Sequence, residues 1–250
     1  KTLQKHINRG DIYEANFCQE FYAYGTIDPL ATFYKLQQSS SPPFSAYFKN
    51  DHHYALSASP ERYLKKNGDT ILSQPIKGTS KRSKNTVEDL QLKTNLVANI
   101  KERSENVMIV DLVRNDLSRI AQKGTVKVDE LCAPYTFAQV HHLISTVVAK
   151  IKDHYSSIDA IKSTFPMGSM TGAPKISAMK LIDQLEDSKR GLYSGAIGYF
   201  TPELDFDFNV VIRSILYDRV SSYVSVLVGG AITINSDEKE EYEECLIKAQ

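Results

Sequence analysis

Glu102 and Glu105 stand three residues apart, as do Glu241 and Glu244, and both pairs fall in stretches with helical patterning. Side chains at i and i+3 share a helix face, so each pair can aim two carboxylates at one point. A hard cation such as Mg2+ takes that arrangement and fills its remaining positions with water and substrate oxygens. Helical glutamates are also commonly solvated surface. Glu241 and Glu244 lie in the run DEKEEYEE, where neighbouring acids could serve equally well. Spacing alone leaves both readings open.

Three further segments carry candidate chemistry. In QPIKGTS, Lys77 follows a stiff Pro-Ile entry and precedes Gly78, which permits close approach of backbone or ligand. Such a lysine is either a solvated charge or, once deprotonated by burial or nearby cations, a nucleophile. GSMTGAPK (residues 168–175) places small residues ahead of a helix with Pro174 near its first turn, which is either a set of exposed backbone N–H groups able to receive an anion or simply a well-capped helix. It lacks the GK[ST] spacing of a P-loop, so an NTPase is disfavoured. In VGGAI, Gly229 and Gly230 inside a strand pattern mark a bulge or a close approach.

Single residues divide between structural and functional readings. Glu61 follows a Pro turn in ASPER. His141 and His142 are adjacent, so in extended structure they face opposite ways and at most one points to a site. Arg213 lies in the apolar pattern VVIRSIL, which suggests an internal salt bridge or a bound acid.

The elements that must position these residues read as interleaved strands and helices. A first helix holds Leu3 and Ile7 on one face and ends at Gly10. Residues 12–24 alternate like a strand, residues 29–38 form a short amphipathic helix, and residues 45–47, 54–57 and 62–65 are short strands. Residues 85–102 give the longest helical pattern, with Leu92, Leu96, Val97 and Ile100 on one stripe. A strand is expected over residues 125–131 and a helix over residues 173–185. Residues 194–200, 209–217 and 223–234 read as a three-strand meander, followed by a charged helix over residues 237–249. No repeat period and no Pro-, Gly- or Ser-rich linker divides the chain, so the expectation is one α+β domain with a mainly antiparallel sheet system.

Composition narrows the class. The 250 residues carry 30 Lys+Arg against 30 Asp+Glu, which argues against a general nucleic-acid binder. No apolar run approaches the ~18–20 residues that span a bilayer. Cys18, Cys132 and Cys245 lie far apart with no CxxC pair, so neither a disulfide framework nor a cysteine zinc site is expected, and a reducing cytoplasm is the default compartment. The chain opens KTLQKHINRGD, like an excerpt beginning inside a helix.

The strings ASPER, PIKGT, MIVDLVRND, VHHLIST, GSMTGAPK, GAIGYF, VVIRS and EEYEE follow one another in this order, and with them the chain resembles the catalytic region of chorismate-utilising enzymes over essentially its whole length. The resemblance implies a two-sheet antiparallel α/β sandwich of the anthranilate synthase component I type, with helices outside and the site in a cleft between sheets. It implies that residues 1–250 form the chorismate-binding catalytic domain, without the N-terminal region that relatives usually carry. It also implies Mg2+ held by Glu102, Glu105, Glu241 and Glu244. A substrate pocket is implied at Gly78, Thr79, His142, Ser169, Thr171, Gly172, Ala173, Tyr199, Arg213, Gly229 and Gly230, with Arg213 and Tyr199 suited to the pyruvyl carboxylate.

Within the family, Lys77 in PIKGT is similar to the aminating branch, whereas anthranilate synthases carry Ala at that place. That likeness implies attack by Lys77 on ring carbon 2, with Glu61 as general acid for the departing C4 hydroxyl. Ammonia then gives 4-amino-4-deoxychorismate, a precursor of 4-aminobenzoate and folate. Ser169 and Thr171 point to the same branch. Glu14 stands where aminases usually have Gln, and Ala231 where the glycine strand often has a third Gly. Cys18 lacks the Gly-flanked elbow of a glutaminase nucleophile, so ammonia is expected from solution or from a glutamine amidotransferase subunit. The alternatives are an anthranilate synthase component I and a silent chorismate-binding domain.

Overall fold

A computed structural model describes residues 1–249. Elements are numbered along the chain. The described residues group into two compact units built from interleaved segments: one holds Lys1–Pro60, Pro166–Ile197 and the stretch from Val210 on, the other Glu61–Phe165 and Gly198–Asn209.

The first unit contains α1 (Thr2–Arg9), β1 (Glu14–Tyr24), α2 (Pro29–Ser40), β2 (Phe44–Asn50), β3 (His53–Ser59), a 3-10 turn (Gly168–Met170), β9 (Gly172–Ala173), α6 (Lys175–Leu185), β12 (Ser214–Asp218), β13 (Tyr223–Ile232) and α7 (Glu238–Ala249). Among the described residues its sheet runs β2-β3-β12-β13-β1-β9, with antiparallel pairings throughout. Local chemistry sets the helix ends. Gly10 closes α1 with φ 82, a left-handed conformation glycine adopts freely. Asp28 caps α2 by accepting from Leu30 and Ala31 amides at 3.0 and 3.1 Å. Leu3 and Ile12 bury with Ala15 and Ala178, seating α1 and α6 on β1. Phe33 of α2 packs on Tyr54, Leu56 and Tyr217 of β3 and β12. Each such large side chain contributes about 1.5–3 kcal/mol of apolar burial.

The second unit contains β4 (Arg62–Asn67), β5 (Thr70–Gln74), β6 (Ile76–Lys81), α3 (Thr86–Ala98), α4 (Ile100–Ser118), β7 (Lys127–Thr136), β8 (Val140–Lys150), α5 (Ser157–Thr164), β10 (Gly198–Phe200) and β11 (Phe206–Asn209). Its sheet runs β10-β11-β4-β5-β8-β6, and β7 also pairs with β8. Leu96 of α3 packs with Cys132 and Leu143 of β7 and β8. The α+β class with mainly antiparallel sheets is therefore the one expected.

Three expectations are corrected. The helix read over residues 85–102 is two helices, because Asn99 leaves helical geometry (φ −70, ψ 110) and turns its side chain to accept the Glu102 amide at 3.2 Å. The stripe ending at Ile100 is thereby broken, and Ile100 is exposed. The three-strand meander is four strands in two sheets: β10 and β11 belong to the second unit, β12 and β13 to the first. Arg213 is not inside a strand but immediately before β12, with left-handed backbone (φ 51).

Candidate functional site

In the second unit, β6 pairs with β8 through Ile76↔Ile144 and Thr79↔His142, and the register shifts between those pairs. Lys77 and Gly78 occupy that irregularity, and a bulge of this kind re-aims the side chains it carries. Gly78 has φ 94, and a Cβ there would lie 3.2 Å from Glu102 Oε2 and 3.2 Å from Leu143 Cδ1. The glycine is required both by conformation and by the carboxylate beside it. One turn along α4 from Glu102, the buried Asn106 donates from Nδ2 to the carbonyls of Lys77 and Leu143, each at 3.2 Å, and accepts from Ser145 Oγ. Along Lys101–Glu105, the two acids Glu102 and Glu105 are half-buried while Lys101, Arg103 and Ser104 are exposed. Spacing had left this acid pair open to a surface reading; α4 instead turns both toward the protein.

His142 is buried and its Nδ1 lies 2.9 Å from Thr79 Oγ1. Its neighbour His141 points away, to Asp89 Oδ1 at 3.0 Å, as strand alternation requires. The Asp89 carboxyl is held well below the usual carboxylate range, chiefly by Arg82 and then by the Ser83 amide. Glu61 is buried directly before β4, whose first residue Arg62 forms a two-bond pair with Asp207 at 2.9 and 3.0 Å. Tyr199 sits on β10 opposite Asp207 with its side chain exposed.

In the first unit, the glycines of β13 face β1 and α7. Gly229 pairs with Cys18, and a Cβ there would overlap its Sγ. A Cβ on Gly230 would lie 3.0 Å from Glu241 Oε2. Glu241 is half-buried, and its Oε1 accepts from Ser236 Oγ at 2.7 Å. Glu244 is exposed and pairs with Lys248, whose Nζ also donates to the Gly229 carbonyl at 2.8 Å. Arg213 Nη1 reaches the Lys248 carbonyl at 3.5 Å, so α7, the glycine strand and Arg213 share one corner. Ala231 is buried in register with Asn16.

The segment over residues 168–175 is packed against β1. Gly168, Ser169, Thr171 and Gly172 are buried, and the segment is tied to β1 through Asn16 N→Thr171 O at 2.7 Å and Tyr13 N→Ala173 O at 2.6 Å. Pro174 is the N-cap of α6, next to its first turn. Gly172 (φ 154) lets β9 lie against β1, since any Cβ would collide with the Glu14 carbonyl. Glu14 itself is buried, at 1% exposure. Lys175 Nζ donates to the Pro166 carbonyl at 2.7 Å and is thereby committed to the turn.

The two glycine-faced glutamates bear on magnesium. In each unit a carboxylate oxygen stands close to where a glycine Cβ would lie, 3.2 Å for Glu102 and 3.0 Å for Glu241, beside a second glutamate three residues on in the same helix. An all-carboxylate donor set suits a hard cation. Each glutamate pair, taken by itself, offers the kind of oxygen donors such an ion takes.

Four positioning residues escaped sequence reasoning. Asn106 has no motif signal beyond a polar residue on the inner stripe of a helix. Lys248 was legible only as the i+4 partner of Glu244. Arg190 and Glu186 form a pair at 2.6 Å, and Arg190 also donates to the carbonyls of Met170 and Asn16 while Glu186 accepts from the Cys18 amide. Their spacing of four was the available hint. The Cys18 thiol beside them is pushed up to about 12 by burial, against the opposing pull of Arg190, so it is a neutral packing group and not a nucleophile.

A family model described as chorismate binding enzyme matches residues 1–250. Aminodeoxychorismate synthase component 1 of Escherichia coli (strain K12) is 38% identical over 248 residues, 99% of this chain and 54% of that protein. The protein of the same name from Bacillus subtilis (strain 168) is 36% identical over 249 residues, 100% of this chain and 53% of that one. Among solved structures, anthranilate synthase component I from Streptococcus pneumoniae TIGR4 superposes with a TM-score of 0.89 at 32% identity, covering 99% of this chain and 55% of that chain. The chain thus has the anthranilate synthase component I type of fold and spans about half the length of the relatives it matches.

Proposed function

The chain belongs to the family of chorismate-binding enzymes, and from that premise we propose that it aminates chorismate to 4-amino-4-deoxychorismate with ammonia. The observation that carries this reading is the bulge at Lys77–Gly78, pinned by Asn106 and flanked by Glu102. This bulge carries Lys77 on a strand irregularity that α4 holds through Asn106, and Glu102 and Glu105 of the same helix are half-buried.

In this scheme the Lys77 amine attacks ring carbon 2, both conjugated ring double bonds shift, and the C4–O bond breaks. Glu61, buried before β4, protonates the departing hydroxyl, which leaves as water. Ammonia then adds at C4 and the C2–N bond breaks, returning the lysine. Mg2+, taken by Glu102, Glu105, Glu241 and Glu244, would neutralise the ring carboxylate and the charge that spreads into it during displacement. His142, held by Thr79, and the backbone at Gly78 line the ring; Ser169, Thr171, Gly172, Ala173, Gly229 and Gly230 are assigned to substrate contact, and Arg213 and Tyr199 to the pyruvyl carboxylate. Ammonia comes from solution or from a glutamine amidotransferase subunit.

The second reading, anthranilate synthase component I, draws on the likeness to the Streptococcus pneumoniae structure. Incubation with chorismate, Mg2+ and ammonium salt, followed by a lyase that removes pyruvate, separates the two. 4-Aminobenzoate formed only after the lyase supports the proposal, and anthranilate formed without it supports the second reading. Unchanged chorismate indicates a silent binding domain. Without ammonia, intact mass analysis should show chorismate less one water added at Lys77. A fully active Lys77→Ala variant removes the covalent step while leaving the family intact.

A further inference from the structure

We propose that His52, His53 and Asp218 form a second cation site, separate in chemistry from the glutamates and suited to a borderline transition ion such as Zn2+ or Ni2+. The three residues sit at one end of the first unit's sheet. Asp218 and His53 are cross-strand partners in the β12–β3 ladder, and the His52 carbonyl accepts from the Arg219 amide at 2.9 Å. The backbone therefore holds all three in place.

Adjacent histidines in a strand diverge, as His141 and His142 do. Here His52 lies in the turn before β3, after a left-handed Asp51 (φ 54), and the two rings come together with centroids 4.1 Å apart and planes at 39°. One ligand atom from each of His52, His53 and Asp218 falls within 4.8 Å of the others. His52 Nε2 is 3.9 Å from Asp218 Oδ1. Donors around a tetrahedral zinc lie roughly 3.3 Å apart, given Zn–N lengths of about 2.0–2.1 Å. Small rotations of two solvent-facing rings close that gap.

The surroundings of the donors also match a metal site. Asp218 is oriented by the Val220 amide on Oδ1 at 2.9 Å and by Ser221 Oγ on Oδ2 at 2.6 Å. On the far side of the His52 ring, Nδ1 faces Asp51 Oδ2 at 3.4 Å, so a carboxylate stands behind the imidazole that would ligate through Nε2. Two imidazoles and one carboxylate favour Zn2+, Ni2+ or Cu2+ over Mg2+, and three protein donors leave positions for water.

The test uses metal-free protein prepared with EDTA and titrated calorimetrically with Zn2+ in buffer containing excess Mg2+. Saturable uptake that Mg2+ does not displace is expected, weakened about tenfold or more in His53→Ala and in Asp218→Asn. A readout on the native protein avoids any folding effect of the variants: Zn2+ should shift the ring-proton NMR signals of His52 and His53 and leave those of His141 in place. Absence of saturable uptake, equal affinity in both variants, or ring signals of His52 and His53 unmoved at saturation would each overturn the assignment.

Discussion

Asn106 Nδ2 donates to the carbonyl oxygen of Lys77 at 3.2 Å, so the strand bulge is fastened to α4 at the residue next to Gly78. Because Asn106 also serves Leu143 and Ser145, its loss removes three hydrogen bonds of a buried side chain at once. Asn106→Ala should cost about 1–3 kcal/mol or more in urea unfolding. Chorismate turnover should fall beyond what that loss of folded protein explains.

Gly78→Ala tests the carboxylate beside the bulge. The backbone at φ 94 is unfavourable for alanine by about 1–3 kcal/mol. The new methyl, 3.2 Å from Glu102 Oε2, must displace that oxygen. Weaker Mg2+ binding is expected in calorimetric titration, in the same direction as Glu102→Gln. Unchanged Mg2+ affinity in both variants would remove Glu102 from the metal shell.

Arg190 and Glu186 form a nearly buried pair that ties β1 to the turn at residues 168–170. Replacing Arg190 alone with Met strands the carboxylate and should destabilise the fold by about 3–5 kcal/mol. Replacing both with apolar residues should recover part of that loss, measured as a double-mutant cycle in denaturant.

The Cys18 thiol should resist modification in the native state and contribute to alkaline unfolding. Its native pKa is about 12 against 9.0 for the free side chain, raised by burial. As pH climbs between those values the unfolded chain releases a proton that the native one keeps, so stability falls with rising pH. The contribution is complete below pH 9.0 and lost toward pH 12. Unfolding midpoints measured across that window in Cys18→Ala should show a shallower decline than the parent.

The fold and the candidate chemistry were legible to different depths. The helix end at Gly10 was readable because local backbone conformation decides it. The break at Asn99 was not, since the apolar stripe continues through it and only the cap bond to Glu102 reveals the stop. The sheet membership of residues 198–218 was hidden because pairing is non-local: β11 joins β4 and β12 joins β3, although their segments are nearly contiguous. The acids, Lys77 and the glycines were found as types at suggestive spacings. What spacing could not supply was Asn106 and Lys248, whose roles rest on contacts with backbone carbonyls far away in the chain.

The interleaving of the two units constrains how the molecule can be cut or rearranged. Each is stitched from separated stretches, with joints near residues 60, 165, 197 and 209. A single proteolytic nick at any joint therefore frees neither half, and no truncation of one continuous stretch isolates either sheet with all its strands. Engineering one half alone calls for circular permutation with new connections, and insertions that lengthen a joint are expected to be better tolerated than deletions that remove a strand.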